Sequence, residues 1–123
     1  MNAMRTILVV EDDPDVRGVI ARYLEARGYR VVEASDGMEG LQRLESGTYD
    51  LVITDIVMPF VSGVGVVKVV KTKHPGIPVI AITGQGKISE AMAAECRSDL
   101  VLEKPIKMAD LIAHVGRLLG GHP

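Results

Sequence analysis

Short runs of Val, Ile and Leu recur along the chain with room for one helix between each pair: Ile7 to Val10, Val31 to Val32, Leu51 to Ile53, Val79 to Ile82 and Leu100 to Leu102. Strand and helix in regular alternation predict an α/β fold built on a parallel sheet. The runs are nearly continuous instead of alternating with polar residues, as in strands covered on both faces. A central, buried sheet is therefore expected.

The intervening segments carry helix signals of different strength. Asp13 is a plausible N-cap, Pro14 suits the first helical position, and Val16, Val19, Ile20, Tyr23 and Leu24 form an apolar stripe that Gly28 is placed to stop. A second helix fits between Asp36 and Gly47 with Leu41 and Leu44 inward, and a last one carries Met108, Leu111, Ile112, Val115, Leu118 and Leu119 at helical spacing. The stretch from Val64 to Val70 is rich in β-branched residues that favour strand. A parallel neighbour nevertheless requires a crossover, usually helical, so a helix is expected there. A fourth helix, short and alanine-rich, is expected over roughly Ile88 to Arg97.

At 123 residues the chain fits one domain, expected to span the whole sequence with about 5–119 structured and no output domain within it. Gly120 to Pro123 reads as a fraying tail or the start of a further segment. The formal net charge of -2 and the dispersed basic residues lack the electrostatic footprint of a nucleic-acid-binding protein. No apolar run reaches the roughly 20 residues of a membrane span, and the N-terminus lacks a signal-peptide layout, so a cytoplasmic protein is expected. Cys96 is the single cysteine, which excludes an intrachain disulfide and reads as a small apolar residue on a helix. His74, His114 and His122 are scattered and read as structural or surface residues.

In a doubly wound parallel sheet, ligands bind beyond the carboxyl ends of the strands. The predicted ends carry Glu11, Asp12 and Asp13 after the first strand, Thr54 and Asp55 after the third, Thr83 and Gly84 after the fourth, and Glu103, Lys104 and Pro105 after the fifth. Glu11, Asp12 and Asp55 brought together would repel one another and call for a cation. Oxygen-only ligands with room for water suit Mg²⁺, which commonly completes its shell with a phosphate oxygen. An aspartate can act as a nucleophile and form an acyl phosphate. Lys104 and Thr83 supply the ammonium and hydroxyl that stabilise charge on a transferring phosphoryl group.

Each residue alone has a plainer reading. An acidic run such as Glu11-Asp12-Asp13-Pro14-Asp15 suits the positive end of a helix dipole, which accounts for Asp13 and Asp15. Asp55 could be a turn residue before Met58-Pro59, Lys104 a solvated lysine, and Thr83 a turn residue before Gly84. Their fall at one edge of one sheet is what separates a site from coincidence.

The motifs ILVVEDDPDVR, DLVITDIVMP, AITG around Thr83 and VLEKPI around Lys104 resemble the response-regulator receiver domain of two-component signalling, over nearly the whole chain. That resemblance implies a flavodoxin-like fold with sheet order 2-1-3-4-5. It implies that Asp55 is the phosphoacceptor, receiving a phosphoryl group from a sensor histidine kinase or a histidine phosphotransfer protein. Asp12, Asp55 and the backbone carbonyl of Val57 would bind Mg²⁺ directly, with Glu11 helping through water. Lys104 would pair with the phosphoryl oxygens. Thr83 would swing toward them, repacking the surface of the fourth helix, fifth strand and fifth helix for a downstream protein. No external substrate is turned over in this reading.

The chain departs from the commoner pattern of that family in several places. Val101 stands where many relatives carry an aromatic switch residue. Glu95-Cys96-Arg97-Ser98-Asp99 lacks the usual Gly-Ala, the Thr83 to Lys104 interval is about a residue shorter than in the chemotaxis regulator, and Phe60-Val61-Ser62-Gly63 keeps only the last glycine of the frequent Gly-Met-Asp-Gly. Val57 and Gln85 hold the two positions that tune phosphoryl lifetime in the family. An apolar Val57 cannot orient water, which implies a long-lived state. Two alternatives stay open: a pseudo-receiver acting only as an interaction module, for which Val101 leaves room, and a small aspartate-nucleophile phosphatase, against which Val57 replaces the second acid that chemistry normally uses. A P-loop reading of Gly84-Gln85-Gly86-Lys87 fails, because Ile88 stands where Ser or Thr is required.

Overall fold

The computed structural model describes residues 4–57, 62–84 and 98–120, and nine elements lie among these residues. In order they are β1 (Thr6–Val10), α1 (Pro14–Glu25), β2 (Arg30–Ala34), α2 (Gly37–Ser46), β3 (Leu51–Asp55), α3 (Gly63–Lys73), β4 (Val79–Thr83), β5 (Leu100–Glu103) and α4 (Met108–Leu118). The strands form one parallel sheet in the order β2-β1-β3-β4-β5, as expected. The helix expected over Ile88 to Arg97, Cys96 within it, and Gln85 lie outside the described residues.

The sheet divides the core in two. Ile7, Val9, Leu51, Ile53, Ile80 and Ile82 face α1 and α4, where they meet Ile20, Leu24, Leu111 and Val115. Leu8, Val10, Val52, Val79 and Ala81 point the other way, onto Leu44 of α2 and Val66, Val67 and Val70 of α3. This split follows from the period of two along each strand. Coverage on both faces holds for β1, β3 and β4, whose residues are all buried apart from the part-exposed Thr6 that starts β1. It fails at the sheet edges: β2 and β5 each leave residues open to solvent, because an edge strand has a neighbour on one side only.

Local signals place the helices. The Asp13 carboxylate accepts from the backbone N–H of Asp15 at 2.9 Å and Val16 at 3.3 Å, with Pro14 beginning α1. Gly28 adopts φ of 92° just past the helix, a left-handed conformation that glycine tolerates best. Asp36 caps α2 by accepting from Glu39 N–H at 2.8 Å. The valine-rich segment forms α3. Its β-branched residues each cost roughly 0.5 kcal/mol of helix propensity, whereas burying a valine stabilises by about 2 kcal/mol, and three of them are buried. Packing decides. One expected core residue turns out otherwise: Tyr23 is 52% exposed. The buried face of α1 runs through Ile20, Ala21 and Leu24, and Tyr23 falls at its solvent margin. No described helix is long and apolar enough to cross a membrane.

Candidate functional site: an acidic strand-end pocket

Strand order reverses between β1 and β3, so a crevice opens at their carboxyl ends. The register pairs Val10 with Thr54, which sets Glu11 level with Asp55 on the adjacent strand. Glu11 N–H donates to the Ala34 carbonyl at 3.1 Å, and Ile56 N–H to the Ile82 carbonyl at 2.8 Å, so both ends continue the sheet's pairing. Carboxylate oxygens of Glu11, Asp12 and Asp55 all lie within 4.8 Å of one another. Glu11 and Asp55 are buried, at 1% and 3% exposure, while Asp12 opens to solvent.

Lys104 reaches this pair from the far edge. Its N–H donates to the Thr83 carbonyl at 2.8 Å, fixing its backbone against the end of β4. Two strand spacings, roughly 10 Å, separate β5 from β3, a gap closed from one side by the lysine stem and from the other by the Asp55 side chain. Its Nζ donates to Asp55 Oδ2 at 2.9 Å and lies 2.7 Å from Glu11 Oε1 in a close ionic contact. The other Asp55 oxygen accepts from Val57 N–H at 3.1 Å, and Glu11 Oε2 from Asp13 N–H at 3.3 Å.

These contacts set the ionisation of the pocket. Burial dominates for Glu11 and pushes its carboxyl up to about 7, with Lys104 opposing and Asp55 and Asp12 adding to the rise. Burial alone would weaken the Lys104 ammonium, but Glu11 and Asp55 outweigh it and hold the group up to about 12. The lysine stays charged at neutral pH. Among the described residues three carboxyl groups meet a single ammonium, and an all-oxygen donor set suits a hard divalent cation such as Mg²⁺, whose charge would favour the ionised form of Glu11.

The remaining predicted residues frame the pocket. Thr83 ends β4, buried at 1% exposure, with its hydroxyl donating to the Gly84 carbonyl at 2.8 Å. Val57 is 49% exposed beside the carboxylates. Val101 lies next to Ala81 in the sheet and is 38% exposed. His74 caps the end of α3 and His114 contacts Arg117 at 3.0 Å, both outside the acidic group, while His122 is outside the described residues.

Two contributors were not anticipated. Arg17 donates from Nη1 to the Glu11 carbonyl at 2.7 Å and from Nε to Glu33 Oε1 at 3.2 Å. An arginine one helical turn past the N-cap is the only signal in the sequence, and it is a common one. Gly63 opens α3 against the end of β3: a Cβ there would lie 1.8 Å from the Asp55 backbone oxygen. Its place after the third strand is visible in the sequence, but the demand for a glycine there arises only from tertiary approach.

Comparison with known proteins places this geometry among relatives. A family model for the response regulator receiver domain matches residues 7–116. The uncharacterized transcriptional regulatory protein YcbL of Bacillus subtilis is 34% identical over 88% of this chain and 48% of its own length. The transcriptional regulatory protein PrrA of Mycobacterium tuberculosis is 34% identical over 92% of this chain and 49% of its own. The chain thus spans about half the length of the curated relatives it matches. Among solved structures, the response regulator TrrA of Thermotoga maritima, in complex with Mg²⁺-BeF, is 33% identical with a TM-score of 0.83, covering 94% of this chain and 99% of that one. A CheY-like receiver domain of Methanospirillum hungatei is 27% identical with a TM-score of 0.90, covering 95% and 94%.

Proposed function

The chain belongs to the response-regulator receiver domain family, and on that premise we propose that it is a switch whose Asp55 accepts a phosphoryl group from a phosphohistidine on a partner kinase or phosphotransfer protein. The observation that carries the reading is Lys104 Nζ held between Asp55 Oδ2 and Glu11 Oε1 at a buried strand-end crevice. Glu11, Asp12 and Asp55, with the Val57 carbonyl, would hold Mg²⁺. Bound there, the cation would neutralise charge on the phosphoryl oxygens. The Mg²⁺-BeF complex of the Thermotoga relative supports such a site in the family.

The chain's own groups perform the rest. Val57 N–H and Lys104 hold the Asp55 carboxylate from either oxygen, which limits its rotation before attack. An Asp55 oxygen forms the new bond to phosphorus as the phosphorus to nitrogen bond of the donor breaks, and the donor imidazole leaves with that electron pair. The product is an acyl phosphate. Lys104 then transfers its contact to the phosphoryl oxygens. The Thr83 hydroxyl must give up the Gly84 carbonyl to reach the same group, and that exchange moves the β4 end, which lies beside Glu103 and just past the Ala81–Val101 pair, together with the surface beyond it. The half-exposed, apolar Val57 offers no side-chain group to orient water, which favours slow loss of the phosphoryl group. The chain turns over no external substrate in this reading, acts in the cytoplasm, and passes its state to a downstream protein.

The test is incubation with Mg²⁺ and acetyl phosphate, followed by intact mass measurement. One phosphoryl group is expected, removable by hydroxylamine and absent in Asp55→Ala. No gain would indicate a non-phosphorylated interaction module, and release of many equivalents of phosphate a phosphatase.

A further inference from the structure

Arg17 lies outside the acidic group yet touches the loop that carries it. Its Nη1 donates to the Glu11 backbone carbonyl at 2.7 Å, and its Nε to Glu33 Oε1 on β2 at 3.2 Å. The side chain is 18% exposed, half-sunk between α1 and the sheet edge. The Glu11 carbonyl belongs to the peptide that leads into Asp12, so this contact sets the plane from which Asp12 departs. The other polar group of the Glu11 backbone, its N–H, is held by the Ala34 carbonyl at 3.1 Å. Arg17 N–H in turn donates to the Asp13 carbonyl at 2.9 Å within the first turn of α1. Residues 11–13 are thereby gripped from β2 and from α1 at once.

We propose that Arg17, anchored by Glu33, is a positioning residue that fixes the Glu11-Asp12 peptide and thereby sets the affinity of the carboxylate group for Mg²⁺. The inference rests on the reading of Glu11, Asp12 and Asp55 as an Mg²⁺ site. A guanidinium suits the task because its planar fork can donate to a carbonyl and a carboxylate together, which an ammonium does less well.

Charge and position predict opposite signs, and this makes the role separable. Arg17 places a positive charge behind the site, so its loss by electrostatics alone would tighten Mg²⁺ binding. Loss of a positioning contact would weaken it. A merely structural arginine would lower the melting temperature and leave the affinity alone.

The experiment titrates MgCl₂ calorimetrically into the wild-type chain, Arg17→Met and Arg17→Lys, at a temperature where circular dichroism shows each folded. A dissociation constant raised about tenfold or more is expected for Arg17→Met. The acetyl phosphate reaction of that variant should recover the wild-type rate at saturating Mg²⁺. Arg17→Lys, which keeps the charge and loses the fork, should also bind Mg²⁺ several-fold more weakly, on the order of the smaller outer-shell effects. That variant carries the test alone if Arg17→Met does not fold. Unchanged or tighter Mg²⁺ binding in a folded variant overturns the proposal. A wild-type chain that takes up no Mg²⁺ overturns the reading of the site, and the inference with it.

Discussion

Glu11 concentrates the physical tension of the pocket. It is buried, sits beside two other acids, and is relieved by one lysine. Its carboxyl is raised from 4.5 to about 7, so between those values the folded chain retains a proton that the unfolded chain has released. More protons on the folded state mean that stability falls as pH rises through this window, and the contribution is gone above about 7. Urea unfolding in a chelator should therefore show the wild type losing stability relative to Glu11→Gln between about pH 5 and about pH 7.5. A pH-independent difference would contradict this. Asp55, Asp12 and Lys104 could be read from the sequence because strand ends share an edge. The direct contact between Lys104 and Glu11 could not, since it depends on side-chain reach past two intervening strands, β3 and β4.

Gly63 shows how an element is positioned by what it lacks. Its N–H donates to the Ile56 carbonyl at 2.9 Å, drawing the start of α3 onto the end of β3. The atom that an added Cβ would meet is backbone, which cannot swing aside as a side chain would. Gly63→Ala is expected to cost about 2–3 kcal/mol by thermal or chemical unfolding, and to slow phosphorylation, because the displaced carbonyl belongs to Asp55. A cost below about 0.5 kcal/mol would show that the approach relaxes freely. The existence and type of the described elements were legible from the sequence through capping residues, apolar runs and the crossover demanded by parallel strands. The exposure of Tyr23 was not. An apolar stripe specifies a helix face only to within about a residue's rotation, and the width of the seam is decided by the partner surface. Arg17 escaped for a related reason: its bonds are to a backbone carbonyl and to a glutamate on another strand.

Across the whole molecule the sheet keeps two apolar populations apart, with α1 and α4 on one side and α2 and α3 on the other. Val115 and Val66 belong to different populations, both fully buried. Each Val→Ala substitution should cost about 2 kcal/mol. Their combination should cost the sum to within about 0.5 kcal/mol in urea melts, as expected for sites with no shared partners. A larger coupling would mean that strain passes through the backbone of the sheet. If the sum holds, the molecule is a laminate. Either apolar layer can drift in sequence and be repaired by changes within that layer, without reopening the other. The strand-end crevice is framed by β1 and β3 between them, so it inherits its geometry from the shared ply and feels drift in either layer chiefly through the points where that layer touches it, Arg17 of α1 and Gly63 of α3.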